Sequence, residues 1–126
     1  MESEVGRSQV GVSEVGGYAF GDVVLIPFPF TSQTASERRS AVVVNGATYN
    51  TARPDIVVMA ITSQLRPSAG LGDVWLSDWK SAGLLKPSAI KPVFATLEQA
   101  LVIRRLGGLS ESDRDRLRLE MPKLLG

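Results

Sequence analysis

The chain has 126 residues, of which 44% are hydrophobic, and a formal net charge of +1. This composition is typical of a single globular domain, because disordered chains contain fewer apolar residues. The chain has no Cys, which excludes disulfides, zinc–thiolate sites and a thiol nucleophile. It also has no His, so a Ser-His-Asp triad is impossible and acid–base chemistry has to use carboxylates, Lys, Arg, Tyr or a hydroxyl.

Charge is distributed unevenly along the chain. Residues 38–108 hold nine Lys or Arg and four Asp or Glu, a net charge of +5, whereas residues 1–37 are acidic. A basic middle section permits an anionic partner, although solvated charges scattered over a sheet have the same composition. No apolar run approaches the roughly 20 residues of a membrane helix, and no secretory signal is visible. We therefore expect a cytoplasmic protein with no membrane partner.

The first 17 residues differ in composition from the rest. The tetrapeptide Ser-Glu-Val-Gly, or Ser-Gln-Val-Gly, occurs three times between residues 3 and 16 at a five-residue spacing. Such a Gly- and Ser-rich segment cannot bury enough apolar surface to offset the entropy that ordering costs. We predict that residues 1–17 are a flexible extension and that residues 18–126 form one domain.

Six stretches have the composition of β-strands. Asp22–Phe28 is a continuous apolar run, which predicts a strand covered on both faces. Pro27 and Pro29 cannot donate to a ladder, so this end of the strand lies at a sheet edge or leaves the sheet. The other predicted strands are Ser40–Val44, Asp55–Thr62, Asp73–Leu76, Ser88–Thr96 and Ala100–Arg104, with a helical alternative for Glu98–Leu101.

Two segments favour helices. Asp78–Leu84 suits one or two helical turns, with Gly83 near the stop. Ser110 is the predicted N-cap of a longer helix, with Asp113 at position N3 in a short-armed version of the capping box. This helix places Leu117, Met121 and Leu124 on one face. Because strands and helices do not alternate, the order predicts a mainly β protein, a small and strongly bent antiparallel barrel with peripheral helices.

A hairpin of the second and third strands brings a guanidinium and a hydroxyl together. If Gly46 pairs with Asp55, the same register makes Arg39 face Thr62 on one side of the sheet. A guanidinium binds phosphate oxygens bidentately, and a hydroxyl can donate to a leaving oxygen or relay a proton. RNA carries its own nucleophile, the 2′-hydroxyl, so this pair predicts slow, metal-free RNA cleavage. Arg and Thr at strand ends are also common as structural residues.

Four blocks of the sequence resemble the MazF/PemK family of toxins, in the order found in that family. The blocks are FGDVVLIPFPFTSQTASERRSAVVV, DIVVMAITSQ, DVWLSDWKSAGLLKPSAIKPVFATL and RRLGGLSESD. The resemblance covers about residues 20–120 and implies an SH3-like barrel that forms a homodimer. It also implies a sequence-specific endoribonuclease that cuts single-stranded mRNA without a metal or cofactor. The products are a 2′,3′-cyclic phosphate and a 5′-hydroxyl, and a cognate antitoxin neutralises the enzyme.

The resemblance also assigns roles to residues. The family's catalytic arginine corresponds to Arg39, which stabilises the phosphorane and shuttles a proton, and its catalytic threonine corresponds to Thr62. The family usually has Pro after this arginine; the Ser40 found here restores an N–H and loosens φ, which predicts weaker activity. The candidate substrate-binding residues are Phe30, Thr31, Ser32, Gln33, Arg38, Ser63, Gln64 and Arg66.

A second hypothesis assigns the same fold to a protein that has no nuclease activity. On this interpretation the protein is a non-nucleolytic toxin or binding module, such as a topoisomerase poison of the CcdB type, and Ser40 is its main support. For the nuclease, we expect the antitoxin to supply a mostly disordered acidic tail that folds onto the basic groove.

Overall fold

The structure is a computed structural model, and it describes residues 17–27, 38–46, 53–65, 70 and 72–125. Most of these residues belong to β-strands or to one long α-helix. In chain order the strands are β1 (Asp22–Pro27), β2 (Arg38–Val43), β3 (Asp55–Thr62), β4 (Val74–Trp75), β5 (Ala89–Glu98) and β6 (Arg104–Gly108). A 3-10 turn (Gln99–Leu101) precedes β6, and the helix α1 (Glu111–Leu125) follows it.

The six strands form one antiparallel sheet in the order β4-β5-β3-β2-β1-β6. The last strand of the chain thus lies beside the first, and the sheet curls into a half-barrel with α1 packed against it. The predicted fold class, a mainly β SH3-like barrel with a C-terminal helix, is confirmed. None of the helices in the described part of the chain is both long and apolar enough to span a bilayer.

The register of the β2–β3 hairpin is the one expected from the sequence. Val42 pairs with Met59, and the pairs on either side follow the same spacing. The β3 strand begins and ends at the predicted residues, Asp55 and Thr62. Four other predicted strands are confirmed with ends shifted by one or two residues, but the predicted strand Ala100–Arg104 is wrong, because Gln99–Leu101 is a 3-10 turn and the strand there is Arg104–Gly108.

The sheet has an apolar cluster on each face. The inner cluster lies between the sheet and α1, and the outer cluster lies on the opposite face. The inner cluster contains Val23, Val42, Met59, Ile61, Val74, Leu76, Ala82, Leu84, Ile90, Leu109 and Leu117. The outer cluster contains Val24, Ile26, Ala41, Val43, Ile56, Val58 and Leu97. The strand β1 therefore buries apolar side chains on both faces, as its uninterrupted apolar run predicts.

The helix α1 begins as predicted, but one of its residues has a different role. Ser110 caps the helix, since its Oγ accepts a hydrogen bond from the N–H of Asp113 at 3.2 Å. Asp113 does not complete a capping box. Its carboxylate is fully buried and instead accepts hydrogen bonds from the N–H groups of Ser77 and Asp78, at 3.1 and 3.0 Å. The predicted apolar face is confirmed, because Leu117, Met121 and Leu124 pack in or against the inner cluster.

The segment 78–84 is one helical turn, within the one or two turns that the sequence predicts. The turn ends with the two hydrogen bonds of a Schellman motif. The N–H of Leu84 donates to the carbonyl oxygen of Trp79, and the N–H of Gly83 donates to the carbonyl oxygen of Lys80. Gly83 adopts φ +86°, which confirms its predicted role as the stop. A Cβ at Gly83 would overlap the carbonyl oxygen of Leu106. This turn is therefore packed directly onto the backbone of β6.

The predicted flexible extension lies outside the described residues, apart from its last residue, Gly17. The extension and the domain boundary remain predictions. Glu98–Leu101, for which the sequence allowed a helical alternative, contains the 3-10 turn.

Candidate active site

A groove lies where β1 and β3 end and β2 begins. Its volume is about 590 Å³, and one wall is formed by the chain that follows the Gly83 turn and leads into β5. The described residues that line it are Leu25, Arg38, Arg39, Ser40, Ile61, Thr62, Ser63, Gln64, Gly83, Leu84, Leu85, Lys86, Ser88, Arg104 and Leu106.

The two predicted catalytic residues lie side by side at this groove. Arg39 is exposed near the start of β2, and Thr62 is half-buried at the end of β3. The hydrogen-bonded ladder is recorded for residues 41–43 of β2 and 58–60 of β3. The same register, continued by two residues, places Arg39 opposite Thr62, where Cβ atoms lie about 4.5–5.5 Å apart. This register puts the guanidinium and the hydroxyl on the same face of the sheet.

A local hydrogen bond orients the Thr62 hydroxyl. Its Oγ1 accepts the backbone N–H of Gln64 at 3.1 Å. A hydroxyl has one donor hydrogen and two acceptor lone pairs, so this bond leaves the hydrogen available for a ligand. The strand ends at Thr62, and the turn into Gln64 thus fixes the oxygen while the proton can point into the groove.

The charged residues that the structure describes around the groove have one sign. Four of the described lining residues are cationic, namely Arg38, Arg39, Lys86 and Arg104, and none is Asp or Glu. The described part of the chain also holds no group of three or more acidic side chains that could bind a metal ion. Such a lining attracts anions and offers none of the carboxylate ligands that Mg²⁺ prefers.

Ser40 occupies the position at which the resemblance to the MazF/PemK family predicts a proline. It pairs with Leu25, and the β1–β2 ladder continues through Ser40 to the pair of Pro27 and Arg38 without a register shift. Arg39 pairs with Ile26 within this ladder. The backbone that carries Arg39 is therefore held on the β1 side even though residue 40 is not proline.

The other predicted site residues divide into two groups. Arg38, Ser63 and Gln64 line the groove with Arg39 and Thr62. The remaining candidates, Phe30, Thr31, Ser32, Gln33 and Arg66, lie outside the described residues and stay predictions. Two cations of the groove, Lys86 and Arg104, are not singled out by the sequence. The net positive charge of residues 38–108 indicates an anion-binding surface, but it does not indicate which Lys and Arg residues line the groove.

Comparison with known proteins gives the family. Residues 19–125 match the model of the "PemK-like, MazF-like toxin of type II toxin-antitoxin system" family. The chain belongs to this family. This PemK-like toxin has no match among curated proteins, and its similarity to solved structures is limited to the fold.

Three solved structures illustrate that fold. A mycobacterial endoribonuclease in complex with its cognate antitoxin is 16% identical, with a TM-score of 0.69, over 87% of this chain and 96% of that one. The Mycobacterium tuberculosis toxin MazF-mt6 is 15% identical, with a TM-score of 0.66, over 82% and 95%. The toxin in a MazE–MazF structure from Deinococcus radiodurans is 18% identical, with a TM-score of 0.67, over 86% and 95%. The PemK-like chain thus spans nearly the full length of each.

Proposed function

We propose that this PemK-like toxin is a metal-independent, sequence-specific endoribonuclease that cleaves single-stranded mRNA. The observation that carries the proposal is the position of Arg39 and Thr62, which lie on one face at the mouth of a groove whose described charges are all positive. Membership of the toxin family and the endoribonuclease among its structural relatives support the same activity.

The reaction is an internal transesterification. The 2′-oxygen of the ribose attacks the adjacent phosphorus, the bond from phosphorus to the 5′-oxygen breaks, and no water is consumed. The 2′-hydroxyl loses its proton to solvent, and the leaving 5′-oxygen gains one. The products are a 2′,3′-cyclic phosphate and a 5′-hydroxyl.

Each of the two residues has a distinct role in this reaction. The Arg39 guanidinium binds the nonbridging oxygens in a bidentate manner and stabilises the negative charge that grows on the phosphorane. The Thr62 hydroxyl, whose oxygen already accepts the N–H of Gln64, donates its hydrogen towards the leaving 5′-oxygen. Neither a guanidinium nor an aliphatic hydroxyl is an efficient general acid or base at neutral pH, so the enzyme is expected to be slow.

The test uses a long single-stranded RNA incubated with the purified protein in excess EDTA. We expect cleavage at a short recurrent motif, with 5′ ends that polynucleotide kinase can label without prior phosphatase treatment. A single 2′-deoxy substitution at the cleaved nucleotide should abolish cleavage at that position, because it removes the nucleophile. The Arg39→Ala variant, purified in the same way, controls for contaminating nuclease.

Two outcomes contradict the proposal. Cleavage that persists at the 2′-deoxy position requires another nucleophile. RNA that stays intact while expression of the protein arrests growth favours the non-nucleolytic toxin, for which Ser40 is the supporting feature.

We also propose that the protein forms a homodimer and is neutralised by a cognate antitoxin. The structural relatives include toxins in complex with their antitoxins, and the cationic groove suits an acidic tail that folds on binding. We expect light scattering to give the mass of two chains. An acidic antitoxin segment should displace RNA competitively, and simultaneous binding of both ligands would contradict a shared groove.

A further inference from the structure

The cations of the groove lie on two different faces of the sheet. Side chains alternate along a strand, and on β2 Val42 belongs to the inner cluster whereas Ala41 belongs to the outer one. Arg38 therefore projects from the inner face, as does Ser40, and Arg39 projects from the outer face. Thr62 shares the outer face, because Val58 on β3 belongs to the outer cluster.

Arg104 belongs with the inner-face group. It pairs with Leu25 across β6 and β1, and Leu25 pairs with Ser40 across β1 and β2. Directly opposed residues share a face, so Arg104, Leu25 and Ser40 form a row across the sheet. Neighbouring strands are about 4.8 Å apart, which puts the backbone of Arg104 about 10 Å from that of Ser40, within reach of a shared anion.

Lys86 approaches the same region from the opposite wall. It follows the Gly83 turn, whose backbone packs on Leu106 of β6. The buried Ser88 donates its hydroxyl to the carbonyl of Lys86 at 2.8 Å, which holds this piece of chain against the start of β5. The wall that presents Lys86 is thus anchored at both ends.

These three cations have no acidic partners in the part of the chain that the structure describes. None of the ion pairs found there involves Arg38, Lys86 or Arg104, and no Asp or Glu is among the described lining residues. Like charges that converge without counter-charges repel one another, and a bound anion removes that repulsion. Leu85, which is 93% exposed beside Lys86, adds apolar surface for the sugar or base attached to that anion.

We propose that Arg38, Lys86 and Arg104, with the hydroxyl of Ser40, form a phosphate-binding subsite distinct from the Arg39–Thr62 pair. The subsite holds a phosphate of single-stranded RNA that is not the one cleaved, and this proposal rests on the proposed nuclease function. An RNA strand that crosses the start of β2 and the end of β3 presents the scissile phosphate to the outer face and a flanking phosphate to the inner face. The subsite contributes to binding and register, since its cations do not touch the reacting atoms.

The test measures binding and does not depend on cleavage. A fluorescent single-stranded RNA that is 2′-O-methylated throughout keeps its phosphate charges and cannot be cut. Its dissociation constant for the full chain is measured by anisotropy over a range of salt concentrations. For single strands the slope of log K against log salt changes by about 0.7 for each phosphate that the protein ceases to neutralise. We expect Lys86→Gln and Arg104→Gln each to weaken binding about 5- to 10-fold and to reduce the slope by about that amount.

Lys80→Gln is the matched control, because Lys80 is exposed on the same turn but does not line the groove. Lys80→Gln should leave the affinity for the RNA and the slope of log K against log salt unchanged.

In cleavage assays Lys86→Gln should raise KM and leave kcat unchanged, as expected for binding energy that is the same in the ground and transition states. The subsite proposal is wrong if Lys86→Gln and Arg104→Gln both leave the RNA affinity and the salt slope unchanged. It is also wrong if Lys86→Gln lowers kcat at constant KM. If the parent protein fails to cut RNA, the nuclease proposal falls, while the anisotropy series still decides the subsite.

Discussion

An Arg39→Ala variant is expected to cleave single-stranded RNA at least ~100-fold more slowly than the parent protein, with the melting temperature unchanged. Removing one preorganised donor to a developing oxyanion costs about 10²–10³ in kcat, and Arg39 is the cation placed opposite Thr62. The side chain is exposed at the start of β2, so its truncation removes little packing. The measurement is single-turnover cleavage in EDTA, paired with thermal unfolding of the same samples.

Two further arginine variants test whether the slower cleavage comes from the loss of a catalytic group or only from the loss of one positive charge. Arg39→Lys keeps the charge but loses the bidentate fork, so we expect an intermediate rate. Arg53→Ala removes an equally exposed arginine at the other end of the same hairpin, where it lies 3.5 Å from Asp55, and should leave the rate unchanged. Thr62→Val should also slow cleavage, and Thr62→Ser should restore much of it. If Arg39→Ala and Arg53→Ala cut RNA equally fast, Arg39 has no catalytic role.

An Asp113→Ala variant is expected to lose about 2–4 kcal/mol of the free energy of unfolding, because two backbone N–H groups lose their acceptor and each unsatisfied buried group costs about 1–3 kcal/mol. Asp113 is fully buried, accepts two backbone N–H groups and lies 2.8 Å from the guanidinium of Arg116. Arg116 in turn donates to the carbonyl oxygen of Trp75 and to the hydroxyl of Ser77. Urea unfolding followed by circular dichroism measures the loss.

The helix supplies a closely matched control. Asp115 also pairs with an arginine three residues on, Arg118, at 3.2 Å, but its side chain is 66% exposed. An exposed pair contributes about 0–1 kcal/mol, so Asp115→Ala should change the free energy of unfolding by less than that. Asp113→Asn keeps an acceptor and should fall between the two. Equal losses for Asp113→Ala and Asp115→Ala would show that the buried carboxylate has no special structural role.

The sequence predicts best those features that are set by local pattern. The β3 strand has the predicted ends because its apolar run is bounded by a proline and by polar residues, and the Ser110 cap depends only on the residues that follow it. The hairpin register agrees with the one obtained by assuming that Gly46 pairs with Asp55. These features place Arg39 and Thr62 together before any tertiary contact is considered.

Features that depend on tertiary contacts are not visible in the same pattern. Asp113 looks like a capping residue by its position in the helix, but its partners lie 35 and 36 residues earlier in the chain. Lys86 and Arg104 are separated in sequence and meet at the groove only because the Gly83 turn packs on β6. The role of Asp113 and the shared position of Lys86 and Arg104 can be recognised only when the structure shows which elements pack together.

The carboxylate that holds the start of the Gly83 turn comes from a residue made after all six strands. Ser77 and Asp78 have no access to this acceptor until synthesis has passed Asp113, and the guanidinium of Arg116 arrives three residues later still. A nascent chain can pair its strands and pack the Gly83 turn on β6 earlier, but the hydrogen bonds from Ser77 and Asp78 to Asp113 form only when the C-terminal helix docks. The order of translation therefore makes this contact between the Gly83 turn and the helix form after all six strands have been made.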